Sequence, residues 1–298
     1  MLAESDLGPG ISRRESTYLG DQRLSSLDES IGMFTEFPAN PPTFLDALSE
    51  MNIKNFKEIV DESNKCLNKI KKGTTQKVCG LTDDEVLAIS CYTLDSPHGI
   101  DPIYKIINEC LARSRNISNI KATRKYIYLL LSGLRKLPRY KEPDKNKLYH
   151  RVNTKVPTTL EEAKGHQFYA QGQIVTWWGF TSTSKNIGVT NFFVDPSSDR
   201  TLFIIKGNDL WGYDIQAFSK FDNEEEVLLE PETRVEVVKV TLNQDELTVN
   251  LEFQPSTHLA LDESIPVKIN GVLPNGWKLS DYQHTGKYCY EDTKNKIV

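Results

Sequence analysis

The chain predicts an α+β protein, a helical lobe followed by a sheet, and three observations carry the prediction. Between Phe56 and Leu137 the apolar residues recur three and four apart, the period of amphipathic helices. From Lys147 to Phe253 the pattern changes to short runs rich in aromatic and β-branched residues, punctuated by Gly, Asn, Asp and Pro. The two regimes do not alternate, as the strands and helices of a doubly wound fold would, and neither GxGxxG nor GxxxxGK[ST] occurs.

Taken in order, residues 1–42 are rich in Ser, Glu, Asp, Arg, Pro and Gly, and their scattered apolar residues cannot offset the entropy of ordering, so the composition predicts a flexible tail. A helical extension follows over 43–80. Its stripe is Phe56, Ile59, Val60, Leu67 and Ile70, and Gly73 supplies the stop. Thr82 and Glu85 have the spacing of a capping box and open a second helix. Ile103, Ile106, Ile107, Cys110 and Leu111 mark a third, and Tyr126, Ile127, Leu130, Leu131, Leu134 and Leu137 a fourth that ends at Pro138. The strand candidates are KLYHRV, QIVTWWGFTSTS, TLFIIKG, EVLLEP, RVEVVKVTL and ELTVNLEF. We divide the chain into a main domain over 81–253 and a C-terminal part over 254–298, which opens on the linker-like QPSTHLALDESIPVKIN.

Bulk properties narrow the function. The composition, 38% hydrophobic and 26% charged, is that of a globular protein with a sizeable core. A net charge of -5, with only short basic clusters at Arg113 to Arg115 and Arg135 to Arg139, disfavours nucleic acid as a partner. The start has no apolar signal region and nothing approaches a membrane-spanning length, so no membrane is expected. Five cysteines without a CxxC pair argue against a zinc site or a disulfide framework, and no metal is expected; reduced thiols in a cytosol-like compartment fit best. The sequon Asn116-Ile117-Ser118 is of a kind that arises by chance.

Three polar sites stand at the ends of strand candidates: Arg151 closing LYHRV, Ser182-Thr183-Ser184 closing WWGFTSTS, and Glu224-Glu225-Glu226 opening EVLL. On an extended segment side chains alternate, so Glu224 and Glu226 are expected to share one face and Glu225 to point away. In this order, and with LTDDEVLAISCYT, YKIINECL, GYDIQAFSKFDNEEEVLLEP and RVEVVKV around them, these residues resemble the toxin-like, arginine-modifying branch of the ADP-ribosyltransferase family from about Leu81 to Thr241.

That resemblance implies a split, mixed β-sandwich behind the helical lobe and an enzyme that transfers ADP-ribose from NAD to an arginine of a target protein. By position Glu226 is the catalytic glutamate that binds the nicotinamide ribose and stabilises an oxocarbenium-like cation, while Glu224 orients the acceptor guanidinium. Glycosidases answer the same chemical demand with paired carboxylates. Arg151 would grip the NAD pyrophosphate with its fixed fork of donors, and Ser182 would brace the glutamate and the ribose.

Val152 follows Arg151 where family members usually carry a small residue whose backbone approaches nicotinamide, and the resemblance implies that Phe193 or its neighbour Phe192 is the aromatic set against that ring, with core packing as the alternative. AFSKFDN corresponds to the acceptor-recognition loop, with Phe218 and Phe221 as contact candidates or core residues. His150 is expected to be structural. An NAD glycohydrolase and a non-catalytic adaptor are the alternatives. The absence of a signal peptide, lipid-anchor tail and paired cysteines suggests action in a cytosol, the cell's own or that of a host. Near the C-terminus, LPNGWKLSDYQHTGKYCYEDTKN resembles the first two strands of a WW domain without its closing Trp and Pro; its ligand would be a proline-rich peptide, or it forms a two-stranded ribbon.

Overall fold

The computed structural model describes residues 41–71, 79–96, 100–113, 117–140, 147–163, 167–195, 197–207, 212–243, 246–254, 277–282 and 287–292. Residues 1–40 of the predicted N-terminal tail and most of the predicted linker lie outside these residues.

The helical lobe consists of α1 (Phe44–Glu50), α2 (Phe56–Lys71), α3 (Asp83–Tyr92), α4 (Ile103–Arg113) and α5 (Ile117–Lys136). Its apolar stripes meet in one core that includes Phe44, Leu48, Leu67, Ile89, Tyr126 and Leu130. The capping box at the start of α3 is formed: Thr82 Oγ1 accepts from the Glu85 amide, and the Glu85 carboxylate accepts from the Thr82 amide at 2.8 Å. The same buried carboxylate takes bonds from Ser132 Oγ (2.6 Å) and Lys136 Nζ (2.7 Å), so a cap of α3 also fastens α5. The two helices approach closely at Gly133, where a Cβ would lie 3.1 Å from Ile89 and 3.2 Å from Glu85.

Eight strands follow: β1 (Lys147–Val152), β2 (Ile174–Trp177), β3 (Thr181–Ser184), β4 (Arg200–Lys206), β5 (Gly212–Asp214), β6 (Glu226–Leu229), β7 (Thr233–Asn243) and β8 (Glu246–Phe253), with one helical turn, α6 (Leu160–Ala163), after β1. They form a sheet of order β2-β7-β8-β4-β1-β3-β6-β5, antiparallel except for the β4–β8 pair. β1 runs beside β4 from Lys147↔Lys206 to Val152↔Thr201 but meets β3 at Tyr149↔Ser184. The sheet therefore opens at β1/β3 into two halves, giving the expected mixed and split architecture.

A second core, with Leu148, Val152, Val175, Trp177, Phe203, Val235 and Val249, fills the larger half. Strand β6 lies between the two cores. Val227 and Leu229 belong to the second core and Leu228 to the helical one, which is why EVLL is apolar without alternation.

The run QIVTWWGFTSTS is not one strand. It breaks after Trp177 into β2, at the edge beside β7, and β3, between β1 and β6. The break is held by Asn108 of α4, whose side-chain oxygen accepts from the Phe180 amide (2.9 Å) while its nitrogen donates to the Phe180 carbonyl (2.9 Å). A Cβ at Gly179 would lie 2.8 Å from that oxygen, so the residue beside the clamp has no room for a side chain.

Near the C-terminus, β9 (Trp277–Tyr282) and β10 (Lys287–Asp292) form an antiparallel ribbon, a two-stranded sheet of their own. Among the described residues no helix is long and apolar enough to cross a membrane.

Candidate active site

The polar residues singled out in the sequence converge where the sheet opens. β1 delivers Arg151, β3 delivers Ser182, and the connection from β5 to β6 delivers Glu224 and Glu226. The three hydroxyls of Ser182-Thr183-Ser184 each fasten a different part of the glutamate segment. Ser182 Oγ donates to Glu226 Oε1 at 2.6 Å, Thr183 Oγ1 to the Val227 carbonyl at 2.6 Å, and Ser184 Oγ to the Glu224 carbonyl at 2.8 Å. In the ladder Thr183 lies opposite Val227, whereas Ser182 and Ser184 lie opposite Leu228 and Glu226, so these two hydroxyls each reach two residues back along the glutamate segment.

Glu224 and Glu226 are each 1% exposed. Carboxylates are seldom buried without a specific reason, because the charged form loses its hydration. Glu224 closes a short 3-10 turn, Asp222–Glu224, and Glu226 opens β6. Between them Glu225 is left-handed, at φ 48° and ψ 45°. The expected alternation along an extended segment is thus not how the pair arises: a tight left-handed joint replaces it. The joint is held by the Lys185 amide, which donates to the Glu225 carbonyl (3.2 Å), and by Asn186 Nδ2, which donates to Glu225 Oε1 (3.3 Å).

Arg151 is 6% exposed. Its guanidinium faces the Glu246 carboxylate at 3.1 Å (Nε) and 3.2 Å (Nη2), and Nη1 donates to Asn191 Oδ1. Arg200 shares the same carboxylate at 3.2 Å. Burial lowers the Arg151 pKa, but a guanidinium starts so high that it stays charged.

Beside it, His150 Nδ1 lies 2.7 Å from the Ser182 carbonyl. A carbonyl only accepts, so Nδ1 carries the proton, and this bond bridges β1 to β3 at the opening. The ring packs against Trp177 and Phe203 at 6.0 Å from each, and burial pushes its pKa down to about 4. The structure thus gives His150 the structural place expected of it.

Val152 is fully buried in the second core. Phe192 and Phe193 lie on the 3-10 turn Val189–Phe193, the first 44% exposed and the second half-buried, and the same turn carries Asn191 to Arg151. Phe218 is 2% exposed within the helical core and is therefore a core residue rather than an acceptor contact, whereas Phe221 is half-buried.

Four residues at or near the site escaped the sequence reading: Asn108, Asn191, Arg200 and Glu246. Asn108 did leave a signal, being a polar residue beside Ile107 within an apolar helical stripe. Glu246 left none, because it reaches Arg151, 95 residues away, only through the side-by-side packing of β1, β4 and β8.

A family model described as NAD:arginine ADP-ribosyltransferase matches residues 28–258. The chain belongs to that family, whose members use NAD as a substrate, and it is an ADP-ribosyltransferase by that membership. The match ends ahead of the C-terminal ribbon, so the likeness to a WW domain finds no support in it.

Among solved structures, the ADP-ribosyltransferase HopU1 of Pseudomonas syringae pv. Tomato DC3000 has a TM-score of 0.52 at 16% identity, over 78% of this chain and 100% of that one. The type III effector XopAI from Xanthomonas axonopodis pv. citri has 0.51 at 16% identity, over 75% and 92%. The Vis toxin, an ADP-ribosyltransferase from Vibrio splendidus, has 0.46 at 23% identity, over 82% and 99%. The first two show the shared fold. No curated protein sequence matches.

Proposed function

We propose that this chain is a mono-ADP-ribosyltransferase that transfers ADP-ribose from NAD to an arginine of a target protein, acting in the cytosol of its own cell or of a host. The observation that carries the reading is the buried pair Glu224 and Glu226, the latter fixed by a 2.6 Å bond from Ser182, across the sheet opening from the buried Arg151.

In this reading Arg151 holds the pyrophosphate, assisted in position by Glu246 and Asn191. The bond from the nicotinamide-ribose carbon to the ring nitrogen breaks, and its electron pair leaves with nicotinamide. Glu226 stabilises the cation left on the ribose and holds a ribose hydroxyl, in the manner of preorganised charge aimed at a transition state. A guanidinium is a poor nucleophile while protonated. Glu224 therefore pairs with it and takes the proton released as the guanidine nitrogen bonds to the ribosyl carbon. Val152 backbone and Phe193 would face the nicotinamide.

The test is to measure nicotinamide release and transfer to agmatine, a small guanidine, side by side. Glu226→Ala is expected to lose roughly 100- to 1000-fold in both, the scale of a removed transition-state contact. Glu224→Gln is expected to keep most of the NAD cleavage and lose transfer. Equal losses in the two variants would refute the division of roles, and a wild-type chain that only hydrolyses NAD would make it a glycohydrolase.

A further inference from the structure

Helix α2 lies within the residues the family model matches but carries none of the polar residues of the site, and it touches the segment that ends at Glu224. Its apolar side, with Ile59, Cys66, Leu67 and Ile70, is buried in the helical core. Its polar side makes two ion pairs to the connection between β5 and β6. Glu62 Oε2 meets Lys220 Nζ at 2.5 Å, and Lys69 Nζ meets Asp222 Oδ2 at 2.9 Å. Glu62 and Lys69 are seven residues apart, two helical turns, and so stand on one side of α2. The pairs have opposite polarity, which fixes the register of the connection against the helix: a slip in either direction would set like charges together.

These side chains are largely exposed, 66% and 54% for Lys69 and Asp222 and 39% and 35% for Lys220 and Glu62. Exposed pairs add little to global stability. What they set is position. The base of the connection is held separately: Ser90 Oγ donates to the Phe218 carbonyl (2.8 Å), and the Lys220 amide donates to Thr93 Oγ1 (2.9 Å).

The two glutamates are anchored differently. Glu226 belongs to β6 and is held by the ladder to β3 and by Ser182. Glu224 belongs to the turn Asp222–Glu224, beyond the left-handed joint at Glu225; Ser184 Oγ donates to its carbonyl at the β3 end, Gln216 Nε2 donates to the Asp222 carbonyl, and Lys69 grips the start of the turn through the Asp222 carboxylate. Neither α2 ion pair reaches β6.

From this separation we propose that α2 is a positioning helix for the acceptor side of the site: through Glu62–Lys220 and Lys69–Asp222 it holds Glu224 in place and sets how the ribosyl group is partitioned between a guanidine acceptor and water. The inference rests on the role of Glu224 given above. It leaves cleavage of NAD to the β3/β6 pair.

Two readouts on the full chain test it: hydrogen exchange of the amides over 217–225, and the ratio of transfer to agmatine over NAD hydrolysis. Lys69→Glu and Glu62→Lys are each expected to raise the exchange and to lower the ratio roughly two- to fivefold, the reach of one exposed ion pair, with NAD hydrolysis unchanged. The charge swap K69E/D222K is expected to restore both. High salt on the wild type should move both readouts in the direction of the single reversals. Unchanged exchange in the reversals, an equal fall of hydrolysis and transfer, or no restoration by the swap would overturn it. If the wild type cleaves NAD and modifies no agmatine, the arginine reading fails, and the exchange measurement alone decides whether α2 holds the connection.

Discussion

Replacing Glu225 by glycine should leave the protein more stable than replacing it by alanine, the reverse of the usual order. At most positions alanine is favoured, because glycine has more conformational freedom to lose, worth about 0.5–1 kcal/mol. At φ 48° and ψ 45° the balance changes. A Cβ in the left-handed region crowds the following carbonyl at a cost of about 1–2 kcal/mol, which glycine escapes. The bond from Asn186 to the Glu225 carboxylate is lost in both variants and cancels in the comparison. The difference favours glycine by about 0.5–1 kcal/mol, or roughly 1–4 °C in melting temperature for a domain of this size. Urea or thermal melts of the two variants give the sign directly. Because the joint carries Glu224, the glycine variant should also retain transfer to agmatine, while Glu225→Val, β-branched in a region that disfavours branching, should lose it. Alanine equal to or more stable than glycine would refute the claim that the pair of glutamates depends on a left-handed joint.

Three further outcomes are expected. Ser182→Ala removes a 2.6 Å hydrogen bond to a carboxylate, worth about 1.5–3 kcal/mol, and should lower NAD cleavage roughly 10- to 100-fold in steady-state kinetics. His150 binds a proton less readily folded than unfolded, its pKa having fallen from 6.5 to about 4, so stability should fall as pH drops through that window, by at most about 3 kcal/mol. His150→Asn, which can still donate to the Ser182 carbonyl but does not titrate, should show a shallower fall in denaturant midpoints measured between pH 7 and 4. Asn108→Ala leaves the Phe180 amide and carbonyl without the side chain that bridges them and should cost about 3 kcal/mol in unfolding free energy, with NAD cleavage reduced through the displaced start of β3.

The parts of this fold that could be read from the sequence are those written in local periodicity. A stripe such as Tyr126, Ile127, Leu130 and Leu134 is legible because one side of α5 is buried and the helix period is short. The order of Arg151, Ser182 and Glu226 was legible because their spacing along the chain forms a family pattern. What stayed hidden depends on contacts far apart in sequence. The split of QIVTWWGFTSTS into β2 and β3 follows from Asn108 reaching Phe180, 72 residues on. The burial of Phe218 follows from Ser90, 128 residues earlier, drawing its carbonyl into the helical lobe. The left-handed turn at Glu225 has no glycine or asparagine to announce it; it is imposed by Lys185 and Asn186 from across the site.

The single meeting of β1 and β3 at Tyr149↔Ser184 has a mechanical consequence. Arg151 stands on one half of the sheet and Glu226 on the other, joined at the seam by the His150 bond to the Ser182 carbonyl. On the roles proposed above, a dinucleotide held by Arg151 at its pyrophosphate and by Glu226 at its ribose would span that seam like a strut. The spacing of its two grips would then be set at the seam, so Tyr149 and His150, which hold β1 to β3, would share control of its affinity with the residues that touch it.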